Sequence, residues 1–341
     1  MLCQEIASGA GDDLGGSTLT NPWRALRRRI LTPGTSATRL DVRGFYQKSP
    51  AARDLLETIG HTFLTGYAFA AESQIPGDAE ERLERIPKRL RGFAYEGAAM
   101  CFAVRDGLPG GRHDHVARFL SGQADAHVYM VYVGVGWAMA RLPRWRWSTL
   151  HAPDPLLRWL VLDGYGFHQA YFHTRRYVHE QYRQPSFPWP ADGPRWYADR
   201  VIDQGIGRAC WFVGGADVKR VAALLDRFPE SRRPDLYSGA GLAATYAGGA
   251  DFDELDWFWR HAGDCRPQVA QGCAFAAGAR VRAGLVVPHN EVATRVFCGM
   301  SVADASEVTD AARPVEPATG QTPSYEVWRR AIADRLVSVR G

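Results

Sequence analysis

A carboxylate stands inside an apolar run at Leu160-Val161-Leu162-Asp163-Gly164-Tyr165-Gly166-Phe167. Buried without a partner, it would lose its hydration and its pKa would rise toward that of a working acid. A buried pair with an arginine is the structural alternative. Glu96, in Tyr95-Glu96-Gly97-Ala98-Ala99, and Asp203, in Asp203-Gln204-Gly205-Ile206-Gly207, have related surroundings. Asp163, Glu96 and Asp203 are therefore the candidate catalytic acids. Arg208 could neutralise one of them. His168 takes a position where sister segments carry a small residue, so it is read as a substrate contact, together with Arg208, Tyr165 and Phe167.

Metal chemistry has weaker support. Asp251-Phe252-Asp253-Glu254-Leu255-Asp256 is spaced like an aspartate-rich magnesium–diphosphate stretch, with Asp251, Asp253 and Asp256 as ligands. It follows Gly248-Gly249, so an acidic helix N-terminus explains it more simply. The expectation is no metal and no cofactor, with Mg2+ as the alternative. His113 and His115 have no third ligand at zinc spacing. Arg141 to Trp147 interleaves arginine and tryptophan over one short patch, and the formal net charge is only +4. Neither makes a nucleic-acid binder. Phosphate-loop, dinucleotide, nucleophile-elbow and zinc-protease motifs are all missing from the sequence.

The elements that must position these residues announce themselves through glycine. A short motif recurs: Gly, any residue, Gly or Ala, any residue, usually a small residue. It starts at Gly66, Gly97, Gly134, Gly164, Gly205, Gly239 and Gly272, at intervals of 31, 37, 30, 41, 34 and 33 residues. A period near 34 suits a two-helix unit. The tetratricopeptide period is matched without its consensus residues. Glycine inside a helix costs about 1 kcal/mol relative to alanine, so close approach of neighbouring helices must offset it. Amphipathic second helices are expected at Asp217 to Phe228 and Asp251 to His261, and one long helix from Pro155 to about Tyr182. The expected fold is all-α: two-helix repeats of about 34 residues forming an α-solenoid or a closed αα-array.

The residue before each leading glycine is Thr65, Glu96, Val133, Asp163, Gln204, Ser238 or Gln271, almost all polar. Equivalent positions would form a polar track through the body, either an interhelical hydrogen-bond ladder or a binding surface. The domain reading is a tail over 1–20, a helical body over 21–312 that opens with a basic helix at Asn21 to Leu31, a linker over 313–323 and a C-terminal helix over 324–341. Tyr325, Trp328, Ile332 and Leu336 give that last helix an apolar stripe. The uncharged apolar run from Val128 to Ala140 is too short to span a bilayer. No basic segment followed by an apolar one opens the chain, so a cytoplasmic location is expected. The six cysteines form no C-x-x-C pair and read as reduced structural thiols.

Several stretches together resemble a bacterial family designated domain of unknown function 1702. They are Arg43-Gly44-Phe45, Phe63-Leu64-Thr65-Gly66-Tyr67, Tyr95-Glu96-Gly97-Ala98-Ala99-Met100, Leu162 to His168, Asp203 to Arg208 and Tyr237 to Leu242. The resemblance runs from about residue 23 to 310. It implies a role in secondary metabolism, since members are associated with gene clusters for enediyne polyketides and other actinobacterial natural products. It supplies no catalytic residues. Two functions follow as expectations. One is a biosynthetic protein acting on a long apolar polyene or polyisoprenoid-type intermediate, as an acid-initiated cyclase or isomerase with terpene-cyclase-like chemistry. The other is a noncatalytic helical-repeat scaffold that docks other pathway enzymes. The expected partners are a hydrophobic small molecule and other pathway proteins.

Overall fold

The computed structural model describes residues 34–109, 112–190, 193–315 and 321–340. The expected tail over 1–20, the basic helix before Leu31 and the centre of the 313–323 linker lie outside them. The described residues are helical, with no strand among them.

Each glycine motif falls in a helix. We name these α1 (Pro50–Glu72), α2 (Lys88–Gly107), α3 (Val128–Met139), α4 (Leu160–Phe172), α5 (Arg195–Val213), α6 (Arg233–Ala247) and α7 (Arg266–Arg282). They are followed by α8 (Val302–Ala311) and α9 (Ser324–Arg340). Local chemistry sets several starts. Ser49 accepts from the Ala52 amide at the head of α1, where Pro50 takes the first position. Pro234 and Pro267 occupy the first turns of α6 and α7.

Consecutive members of α1 to α7 pack along their length, and the glycines set how closely. A Cβ on Gly134, Gly164, Gly205, Gly239 or Gly272 would lie under 3.0 Å from the carbonyl oxygen of Glu96, Val133, Asp163, Gln204 or Ser238, respectively. Each of those carbonyls belongs to the residue before the leading glycine of the preceding helix. Gly136, Gly166, Gly207 and Gly241 press in the same way on the helix that follows. Any side chain would force these backbones apart. The first motif is out of step by two residues. Gly66 meets Ala94 and Gly97 meets Phe63, so Phe63, and not Thr65, is the counterpart of Glu96. The Thr65 hydroxyl donates to the His61 carbonyl of its own helix.

The connections vary more than the spacing implies. Short helices join α1 to α2, α2 to α3, α5 to α6 and α6 to α7: Pro76–Leu83, His115–Leu120, Val218–Leu225 and Phe252–His261. Between α3 and α4 there are 3-10 turns at Arg144–Thr149 and Leu157–Trp159. The expected long helix from Pro155 to Tyr182 is shorter: α4 ends at Phe172, and a π-helical turn covers Arg175–His179. Arg280 ties the end of α7 to the start of α2, donating to the carbonyls of Lys88, Arg89 and Tyr246 at 3.3, 3.2 and 2.6 Å.

Helix α9 buries Tyr325, Trp328, Ile332 and Leu336, the stripe read from the sequence. It also carries buried charge. Arg200 donates to Glu326 at 2.6 Å and Arg329 to Asp235 at 2.8 Å, and the Tyr197 hydroxyl bonds Glu326 at 2.9 Å. Burial would raise the Glu326 carboxyl, but Arg329 and Arg200 outweigh it and hold the group below its ordinary value.

Candidate functional site

Within a helix, residues four apart share a face. The residue before each leading glycine therefore lines up with the one four later: Glu96 with Met100, Val133 with Trp137, Asp163 with Phe167, Gln204 with Arg208. These pairs converge on the interior. Two small cavities lie there, about 40 and 50 Å³ in volume. Asp163, Arg208 and Val133 line the first, with Tyr325 and Trp328 of α9 across from them. Glu96, Met100, Trp137 and Phe167 line the second, which Ala37 and Thr38 border on one side.

Asp163 is fully buried and held twice. The Arg208 guanidinium donates to one carboxylate oxygen, and the Gln204 amide donates to the other at 2.6 Å. Burial alone would lower the Arg208 pKa, and the charges of Asp163 and Glu96 outweigh it and keep it above the ordinary arginine value. Glu96 has no such partner. Its Oε1 is buried and accepts no hydrogen bond. Burial pushes its carboxyl up to about 7, against the pull of Arg208 and with help from the nearby Asp163 charge. One arginine thus serves two buried carboxylates. The Nε of Arg208 and the Oε1 of Gln204 are also unpartnered. Phe167 lies under the Arg208 guanidinium, 5.0 Å from its centre, and edge-on to Trp137 at 5.0 Å.

The other sequence candidates fall elsewhere. Asp203 is one residue before Gln204 and so points about 100° away. It is clamped by Arg232, at 2.5 Å, and by Arg183, at 2.7 Å. Burial raises its carboxyl, and the two arginines pull it back. Tyr165, two residues past Asp163, faces away from the interior and packs on Trp147 and Phe187. His168 is buried between Trp137 and Phe172, with neither ring nitrogen hydrogen-bonded. Burial, and then the charges of Arg141, His173 and Arg43, push it down to about 3, so it is a neutral ring. Of the substrate contacts read from the sequence, Arg208 and Phe167 reach the cavities; Tyr165 and His168 line neither. Sequence reasoning passed over Trp137, although the four-residue spacing from Val133 was the signal for it.

The aspartate-rich stretch is occupied with folding. Asp251 accepts from the Glu254 amide and caps the helix Phe252–His261, and Asp256 pairs with Arg260. Among the described residues no three of His, Cys, Asp or Glu gather as metal ligands. None of their helices is long and apolar enough to cross a membrane.

An all-helical body, with glycine-thinned contacts and an interior carboxylate held near neutrality, is the class that fold and site define. The chain belongs to the family of proteins of unknown function DUF1702, whose family model matches residues 22–336. No curated protein and no solved structure matches it.

Proposed function

We propose that the protein binds a slender apolar molecule in its interior and acts on it by proton transfer from Glu96, as an acid-initiated isomerase or cyclase of natural-product biosynthesis. One observation carries this reading. A buried glutamic acid with an unpartnered oxygen, held at about 7, borders an apolar cavity. Such a group keeps its proton near neutrality and can release it. In the simplest cycle Glu96 protonates one carbon of a double bond. A neighbouring carbon carries the positive charge, which the faces of Trp137 and Phe167 stabilise. The Glu96 carboxylate, steadied by Arg208, then takes a proton from an adjacent carbon and restores both the double bond and the acid. Asp163, first among the sequence candidates, serves here as the counter-charge of Arg208.

The motif resemblance implies secondary metabolism of the enediyne type, and we propose a cytoplasmic protein whose glycine-bearing helices are the inner members of a helical repeat, with a second α-helix in the connections on either side of α3 to α5. A cavity of about 50 Å³ holds a few waters, at about 10–15 Å³ each. A long chain therefore enters only when a bordering segment yields. Ala37 and Thr38 at one cavity, and Tyr325 and Trp328 at the other, are those segments.

The test is to incubate purified protein with a lipophilic extract of its producer and identify the retained and converted molecules by mass spectrometry. Glu96→Gln should retain the same molecules and convert none. Conversion at the wild-type rate would remove Glu96 from the chemistry. A second reading, a noncatalytic scaffold for pathway enzymes, is favoured by a separate depression of about 510 Å³ beside Trp259, Arg266, Leu336 and Val337. Retention of proteins and of no small molecule would support it.

A further inference from the structure

Arg141 lies just past the end of α3, one turn beyond Trp137 and two beyond Val133, about 11 Å along the axis from the level of the buried carboxylates. It is exposed, yet it lines the same cavity as Glu96. Among the described residues it makes no ion pair and no side-chain hydrogen bond. Arg43, near the same end of α4, is engaged: it donates to the carbonyls of Tyr171 and Phe172 at 2.7 and 2.9 Å. Between Arg141 and Glu96 the wall is apolar, built from Phe63, Met100, Trp137, Phe167, Phe172 and Phe212. Among the described residues no other carboxylate lines the cavity. It is thus polar at its two ends, with an unpaired cation at the rim and a carboxyl with a bare oxygen in the depth.

We propose that this cavity takes an amphipathic acid, with its anionic head group at Arg141 and its apolar chain directed toward Glu96. The inference rests on the reading of the interior as a ligand site and specifies the ligand class. A head group at the rim keeps its hydration on one side while pairing with arginine. The chain displaces any water from an aromatic wall. An anion bound the other way round would set its charge beside the carboxylates Asp163 and Glu96, which already share one arginine, so the site also fixes the ligand's direction.

The experiment uses the full-length protein and three probes of equal chain length: octanoate, octanol and octylamine. Binding is read by tryptophan fluorescence, with Trp137→Phe identifying the cavity's share of the signal, and by the shift in melting temperature. Octanoate should bind about tenfold more tightly than octanol, the worth of one partly exposed charge pair, and octylamine most weakly. Arg141→Gln changes an exposed side chain and should leave folding intact. It should abolish the octanoate advantage and leave octanol binding unchanged. If octanol binds as tightly as octanoate, or if Arg141→Gln leaves octanoate binding unaltered, the head-group assignment is overturned while the apolar site stands. If none of the three probes binds, both the assignment and the ligand-binding reading fall.

Discussion

Two of the buried charge clusters to which helix α5 contributes lie on different faces and are built to opposite rules. On one face Asp203, with Asp199 nearby, meets Arg232 and Arg183, two carboxylates to two arginines. On the other, Asp163 and Glu96 share Arg208 alone. The first cluster is paired throughout: Asp203 accepts from both arginines, and Arg232 also donates to the Gln181 carbonyl at 2.8 Å. The second has one carboxylate too many and leaves polar atoms of Glu96, Arg208 and Gln204 without partners. A balanced cluster can be ionised throughout and serves structure. In an unbalanced one, a carboxylate must hold its proton near neutral pH, which is the condition for an acid that works there.

The largest expected effect breaks the balanced cluster. Asp203→Asn leaves Arg232 buried without its counter-ion and should cost about 3–5 kcal/mol, read as a lower urea midpoint at unchanged slope. Asp163→Asn should cost less, about 2 kcal/mol, because Glu96 is at hand to ionise against Arg208 in its place. The carboxyl of Glu96 should then titrate below about 7, since the Asp163 charge is one of the causes that raise it. Carbon-detected NMR titration of the glutamate carboxyls in that variant measures this. Equal losses in the two variants would mean that Glu96 does not take over, and the contrast between the clusters would fail.

Much of this arrangement was legible in the sequence. The helices and their close contacts follow from the glycine period, because small residues on opposite sides of a helix serve only close approach on both. Asp163 with Arg208 could be named as a buried pair. What the sequence hid was direction. Asp203 was grouped with Asp163 because it stands one residue before the equivalent position of its own repeat, and Tyr165 because it lies two residues on, but helical geometry turns both onto other faces. The register slip at Gly66 was hidden too: Leu64 holds the leading position of that helix and Gly66 the third, and only the facing carbonyls, Ala94 and Phe63, reveal it. Nor does the period show that α3, α4 and α5 are joined without a second α-helix, because 3-10 and π turns span such lengths as well.

The unbalanced cluster predicts a pH signature. The Glu96 carboxyl is raised from 4.5 to about 7 in the folded protein. Its proton is therefore held more tightly in the folded than in the unfolded chain. That contribution to stability is fully present below pH 4.5 and is lost as the pH rises through about 7, for a total of about 3 kcal/mol. Urea unfolding from pH 4.5 to 8 should show this decline superimposed on the other titrations. Glu96→Gln, which keeps shape without the ionisation, should flatten it and unfold at a higher urea midpoint than the wild type at pH 8. An unchanged profile would place the surplus charge elsewhere.

The smallest expected effect comes from the cation that the balanced cluster can spare. Arg183 is 41% exposed and touches Asp203 through one contact at 2.7 Å. Arg232 holds the same carboxylate through Nε and Nη2, at 3.0 and 2.5 Å, and is itself buried. Solvent screens the Arg183 charge, and its removal leaves Asp203 with a two-point partner. Arg183→Gln should cost under about 1 kcal/mol, several-fold less than Asp203→Asn on the same face. Arg208 has less reserve: its charge is the one that acts on both Asp163 and Glu96, and Arg141, the other arginine at the Glu96 cavity, stands at the exposed rim. Arg208→Gln should therefore lose far more stability than Arg183→Gln at pH 8, above the Glu96 value of about 7. The gap should narrow toward pH 4.5, as Glu96 is protonated. Measuring the two variants side by side at both pH values tests the asymmetry directly. Equal costs at pH 8 would show that Arg208 is no more needed than the half-exposed arginine, and that the interior carboxylates find their compensation in water.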